Sequence, residues 1–331
     1  MMRNTLLILI LLSGIYGYSQ GSKTSGKVKW NGYTQLRAST NLMDNTSAMV
    51  RRLKFWIKSP DEFSQHWSYK VQVLFSSWMQ ERFFLQDAKV NYKTGLFSLD
   101  IGQFVPAYSL QWTQPDYLIP ALERAKVVNA LHTDGSLGIR DIGAQVNFHS
   151  KDNLLATHLG LFNGYGINEY RFNNKGFMVS HKTTFNIPLE KNKFQLGFSL
   201  MYRYAQNLQI KKVLPDSVFY TGKDIRHNFF MMFKTKSWEM QAEFLNADFE
   251  GKKAEGYYIL SSINIKKSQI VLSVEDYKRT YAKENTTYYR LGYNYLIKKN
   301  KIKLFWDNYF QIIDGAIDNY ITSIQLQFFF N

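Results

Sequence analysis

The segment Tyr320-Ile321-Thr322-Ser323-Ile324-Gln325-Leu326-Gln327-Phe328-Phe329-Phe330 alternates apolar and polar side chains with a period of two. Successive side chains of a strand point to opposite faces, so Ile324, Leu326, Phe328 and Phe330 share one face. Ser323, Gln325 and Gln327 share the other. If the greasy face meets lipid, every backbone N–H and C=O must find its partner within the protein, and an open sheet leaves two edges bare. This last segment must therefore pair with the first and close a cylinder.

The same alternation recurs along the chain. It marks sixteen segments: 29–38, 49–58, 67–75, 84–92, 97–103, 139–148, 154–162, 177–187, 194–204, 226–234, 238–246, 257–265, 269–277, 287–295, 302–310 and 320–330. The fold class expected is all-β: a transmembrane antiparallel up-and-down barrel of about 16 strands. Connections after even-numbered segments are mostly short and basic (93–96, 150–153, 235–237, 266–268, 298–301), and those after odd-numbered ones are mostly longer (39–48, 104–136, 163–176, 205–225, 247–256). Tight turns on the periplasmic rim and long loops outside are what an up-and-down membrane barrel shows. The connection 59–66 is an exception, long on the short side.

Composition fits a membrane wall better than a soluble domain. Aromatics make up 16% of the 331 residues, with 22 Tyr and 25 Phe, enough to furnish girdles at both interfaces. After the N-terminal segment no run of eighteen apolar residues occurs, which excludes spanning helices. Residues 1–19 read as a secretory signal peptide: Arg3, an apolar run from Leu6 to Leu12, then Gly17 and Ser19 before a cut ahead of Gln20. Its loss would take the net charge from +15 to +14 and leave 20–331 as an outer-membrane barrel. No cysteine is present, so there is neither a lipid-bearing Cys nor a disulfide framework.

The third outer connection, 104–136, has no alternation of its own and mixes Tyr108, Trp112 and Tyr117 with Asp116, Glu123, Arg124, Lys126, His132 and Asp134. A loop of that length in a compact fold usually has a function. It is expected to fold into the lumen and narrow it, an exposed loop being the bland alternative. With apolar faces outward, the lumen candidates are Lys29, Arg37, Arg52, Lys54, Lys70, Lys89, Lys182, Arg203, Arg290 and Lys303, joined from the loop by Arg124 and Lys126. Asp87, Asp100, Asp141, Glu239, Glu243, Glu275 and Asp307 share that face, with basic residues concentrated early and acidic ones late. Strand two is ambiguous, because adjacent Arg51 and Arg52 fall on opposite faces of a regular strand. The lysines in the short turns read as solvated rim residues.

Several motifs resemble the phosphate-selective porin O and P family. They are Arg51-Arg52-Leu53-Lys54-Phe55-Trp56-Ile57-Lys58, Tyr69-Lys70-Val71-Gln72-Val73, Asp87-Ala88-Lys89-Val90-Asn91-Tyr92, Gly102-Gln103-Phe104 with Pro106, Arg140-Asp141-Ile142-Gly143, and Gly160-Leu161-Phe162-Asn163-Gly164-Tyr165-Gly166. They occur in order over residues 50–166; beyond that only the strand pattern matches. The resemblance implies a sixteen-stranded, often trimeric porin whose third outer loop narrows a pore favouring phosphate or other anions. It carries Arg52, Lys54, Lys70 and Lys89 over as lumen cations. The loop departs from the family in lacking a ladder of arginines and in holding Asp116, Glu123 and Asp134.

The expected function is passive diffusion of small anionic solutes, with phosphate or polyphosphate among the candidates. The alternatives are a general non-selective porin, a plugged structural or adhesive barrel, or an outer-membrane enzyme. No triad-like constellation supports the last. His66, His132, His149, His158, His181 and His227 show no metal-ligand spacing, although His158 and His181 could share a wall. No cofactor, metal or nucleic acid is expected; the expected partners are outer-membrane lipid and lipopolysaccharide, small anions such as phosphate, and two further copies in a homotrimer.

Overall fold

Period-two alternation becomes backbone pairing along the chain. The computed structural model describes residues 28–77, 82–132, 140–166, 177–210, 213–215, 217–279 and 284–330. The signal-peptide segment and Asp134 therefore lie outside the described residues. Sixteen strands follow in order: β1 (Lys29–Thr40), β2 (Thr46–Lys58), β3 (Trp67–Ser76), β4 (Arg82–Thr94), β5 (Phe97–Phe104), β6 (Asp141–His149), β7 (Leu155–Phe162) and β8 (Met178–Leu189), then β9 (Asn192–Gln209), β10 (Phe219–Lys234), β11 (Trp238–Phe249), β12 (Lys252–Ile265), β13 (Ser268–Arg279), β14 (Glu284–Asn300), β15 (Ile302–Ile313) and β16 (Ala316–Phe330). Each pairs antiparallel with its neighbours, and β1 meets β16 in a register running from Gly32↔Phe330 to Thr40↔Thr322. The barrel is closed, so no sheet edge faces hydrocarbon.

The burial pattern is inverted relative to a soluble protein. Along β16, Gln325 and Gln327 are fully buried while Ile324 is 56% exposed. Across the sheet, exposed Leu272, Leu291, Leu304 and Phe229 form an outer apolar face, and buried Gln35, Ser199, Asn228 and Gln241 line the inner one. Such a surface is stable only where lipid replaces water outside.

The second half departs from the sequence reading. Connections 205–225 and 247–256 were read as long loops, but β9 and β10 extend to Gln209 and from Phe219, and β11 and β12 are joined through Glu250-Gly251 alone. The strand tips carry polar residues such as Gln206, Asn207, Lys252, Lys253 and Glu255. At these tips the contrast is inverted: outward Asp248, Lys253 and Glu255 are polar, whereas inward Ala247, Phe249 and Ala254 are buried in one apolar cluster, so pairing continues past the lipid-facing alternation. Connection 59–66 holds a 3-10 turn, Asp61–Phe63.

Candidate functional site

The connection between β5 and β6 leaves the sheet after Phe104, two residues beyond Gly102, whose φ of 128° suits only glycine and where a Cβ would collide with the Ala88 carbonyl oxygen. Beyond it lie two short helices, α1 (Leu110–Thr113) and α2 (Lys126–Leu131), with a 3-10 turn, Asp116–Leu118, between them. Both helix starts meet carboxylates on the late strands. The Leu110 and Gln111 amides donate to Glu243 on β11, each at 2.8 Å, and Asn228 and Tyr258 donate to the same carboxylate. The Lys126 and Val127 amides donate to Glu275 on β13. First-turn amides have no partner inside a helix and form the positive end of its dipole, so an anion there satisfies both needs.

The early strands hold the same segment by the opposite charge. Glu123 accepts from Arg37 (2.7 Å), Arg51 (2.6 Å) and Arg52 (2.7 Å), and Asp116 pairs with Lys54 and Arg124. Arg51 and Arg52 reach one carboxylate because β2 is bulged: Gln35 pairs with Arg52 and Leu36 with Val50, leaving Arg51 as the extra residue. A bulge re-aims a side chain, which resolves the ambiguity of strand two. A second bulge, with Gln72 opposite Asp87 and Val73 opposite Leu85, buries Gln86 and Asp87 together. Burial alone would raise the Glu123 carboxyl, but Arg52, Arg51 and Arg37 together hold it well below the usual carboxylate range. Further side chains bond the segment's carbonyls: Arg290 to Glu123 (3.0 Å), Asn294 to Pro120 (2.8 Å), Lys182 to Ser109 (2.7 Å), and Arg226 to Leu131 (3.0 Å) and His132 (2.6 Å). Its partners thus sit on strands all round the barrel.

A cavity of ≈ 740 Å³ remains between this segment and the early strands. It reaches from the short-turn rim, at Lys58, Asp61, His66 and Lys93, to Pro115, Asp116, Tyr117 and Arg124. Residues 59–66, the long exception on the short side, form its lip. Its lining cations are Lys54, Lys58, Lys70, Lys89, Lys93, Arg124 and Arg140; its carboxylates are Asp61, Asp87, Asp100 and Asp116. Seven minus four leaves +3 among the described residues. Lys70 pairs with Asp87 at 2.5 Å and Lys89 with Asp100 at 2.9 Å, yet their side chains keep 24% and 29% exposure. Trp56 and Tyr117 stack at the inner end, 15° from parallel.

The twelve cations predicted for the lumen divide by place. Lys54, Lys70, Lys89 and Arg124 line the cavity. Arg37, Arg52, Lys182 and Arg290 bond the β5–β6 segment, and Lys126 lies over Tyr309 at 5.0 Å. Arg203 is buried against Asp224 at 2.7 Å, and Lys303 is buried 4.5 Å from the centre of the Phe305 ring. Lys29 is exposed at the rim, paired with Asp61. Sequence reasoning left out Lys58, at the end of the second segment, Lys93, assigned to the rim, and Arg140, which pairs with Asp87 at 3.0 Å. Arg140 stands in the Arg140-Asp141-Ile142-Gly143 motif, the signal that could have found it. His158 and His181 do not share a face: His158 bonds inward to Asn147, whereas His181 meets Thr157 and Thr183 on the outward register. Among the described residues no cluster of three or more metal-ligating side chains forms.

The architecture is shared with solved outer-membrane porins. OmpF of Salmonella typhi, in complex with daunomycin, is 10% identical with a TM-score of 0.68, covering 92% of this chain and 98% of its own. OprB of Pseudomonas putida is 10% identical at 0.68, covering 92% and 94%. OmpT of Vibrio cholerae, in a trimer form, is 9% identical at 0.68, covering 93% and 100%. At such identity the likeness establishes the fold. No curated protein matches the sequence. The family described as phosphate-selective porin O and P matches residues 23–262, which is most of the chain. Family and fold together point to a channel rather than an enzyme. The chain belongs to the phosphate-selective porin O and P family and is an outer-membrane porin.

Proposed function

We propose that this porin passes small anionic solutes, phosphate among them, and that the β5–β6 segment folds inward to form its constriction. The observation that carries the reading is the cavity's charge: seven cations against four carboxylates, with Lys70 and Lys89 still partly exposed. In a narrow, low-dielectric passage a surplus of +3 raises the local concentration of anions and replaces part of their hydration. The family description, which names phosphate, supports the same class of solute. The trimer form of the OmpT relative supports assembly of this chain as a homotrimer.

Purified protein in planar bilayers is expected to open stepwise conductances with a reversal potential on the anion side in a salt gradient. A reversal potential at zero would favour a non-selective pore, and absence of conductance a plugged barrel. Deleting residues 108–132 should raise the solute exclusion limit in liposome swelling; an unchanged limit would remove the segment from the constriction.

A further inference from the structure

The nine lysines of the four turns from β8 to β15 are not used by the channel reading. Lys193 and Lys234 pair across β9 and β10 on the inward register, and Lys234 pairs with Glu239. The next three turns, neighbours round the rim, carry Lys236, then Lys266 and Lys267, then Lys298, Lys299 and Lys301, all exposed. No carboxylate stands in those three turns. We propose that this sector of the short-turn rim is a binding belt for the phosphate headgroups of anionic phospholipids.

Three observations fix the occupant as lipid. Directly beside these lysines, on the outward register, stand side chains suited to a membrane interface. Trp238 donates to Ser261 at 2.8 Å, Tyr293 bonds Ser268 at 2.9 Å, and Ile265 and Ile297 are about half exposed. Aromatic rings with a polar tip mark the headgroup level. Because the turns are only a few residues long, the ammonium groups stay at that level rather than reaching into the periplasm. Strand lengths give the second observation. The turns join β10 to β15, of 12 to 17 residues, long enough to cross hydrocarbon, whereas β5 and β7 have 8. The charge is thus concentrated where the wall can meet lipid unaided. Third, Lys266 and Lys299 hold φ of 55° and 48°, a conformation that glycine or asparagine adopts more easily. Lysine at both places keeps a cation where backbone geometry favours another residue. A basic surface of this kind attracts anionic lipid and weakens with salt.

Native mass spectrometry of the full protein in nanodiscs of phosphatidylcholine with phosphatidylglycerol is the test. Phosphatidylglycerol should be retained over phosphatidylcholine by at least about threefold. The preference should collapse in the variant with all six lysines changed to Gln and fall in wild type between 0.1 and about 1 M salt. K266G/K299G relieves the backbone and keeps folding out of question; it should retain the barrel's heat-modifiable migration in SDS and lose part of the preference. Equal retention of both lipids by wild type would overturn the belt, as would an unaltered preference in the six-lysine variant. Equal lipid retention with capture of an acidic polypeptide in its place would overturn it in favour of a protein partner.

Discussion

The two sides of the barrel hold one connecting segment by opposite means. On β11 and β13, Glu243 and Glu275 accept backbone amides from α1 and α2. On β1 and β2, Arg37, Arg51, Arg52 and Lys54 take the segment's own Glu123 and Asp116. The acidic side binds main chain, which any sequence presents; the basic side binds side chains, which only this sequence presents. The cavity lies beside the basic side, so the same early strands both grip the segment and line that space. Asp116 and Glu123, two loop acids that look opposed to anion passage, are paired with cations in this anchoring. Arg52 and Lys54 belong to that anchoring as well, so reversing their charge would test the grip and the selectivity together.

Breaking the acidic side should have the largest effect. Glu243→Ala strands two amides and two side-chain donors, a loss of at least about 3 kcal/mol of anchoring. We expect larger current fluctuations and faster entry of larger sugars in liposome swelling; an unchanged single-channel record would show that Glu243 does not hold the segment. On the basic side, Lys70→Glu with Lys89→Glu changes the lining by −4, from +3 to −1. The reversal potential should move from the anion to the cation side, with the anchors at Glu123, Asp116, Glu243 and Glu275 untouched. A smaller effect separates the bulge from a regular strand: Arg51→Gln should loosen the segment by about 1 kcal/mol, comparably to Arg52→Gln. Thermal release of the segment, read by Trp112 fluorescence, would contradict this if only Arg52→Gln shifted it.

The smallest expected effect is one of pH. Glu123 has a depressed value in the folded protein, so its stabilisation is complete above the unfolded carboxyl value of about 4.3 and is lost only as pH falls through the lower folded value. Current noise arising from this contact should therefore be the same at pH 7 and pH 5.

Much of the wall was legible in the sequence, because lipid on one side and water on the other impose a period of two. All sixteen segments are strands, and Gln325 and Gln327 face inward as their alternation requires. The strand tips at Lys252–Glu255 escaped because the pattern inverts there, with polar Lys253 and Glu255 outward and Ala254 buried inward, so no greasy outer face announces the strand. Arg51 escaped because a bulge is a local change of register that composition does not announce. The anchoring was the least legible: Leu110 and its partner Glu243 lie 133 positions apart, and no periodicity links a helix start to a distant carboxylate.

The seam between β1 and β16 has a consequence for biogenesis. There Gln35 donates to Gln327, a partner 292 positions away. Loop closure over such a distance is entropically the slowest kind of pairing, and it cannot occur before the final strand has been delivered. Until then two ribbon edges stand open, so the growing sheet needs shelter from aggregation, and a nascent chain stopped short of β16 cannot become watertight in the bilayer.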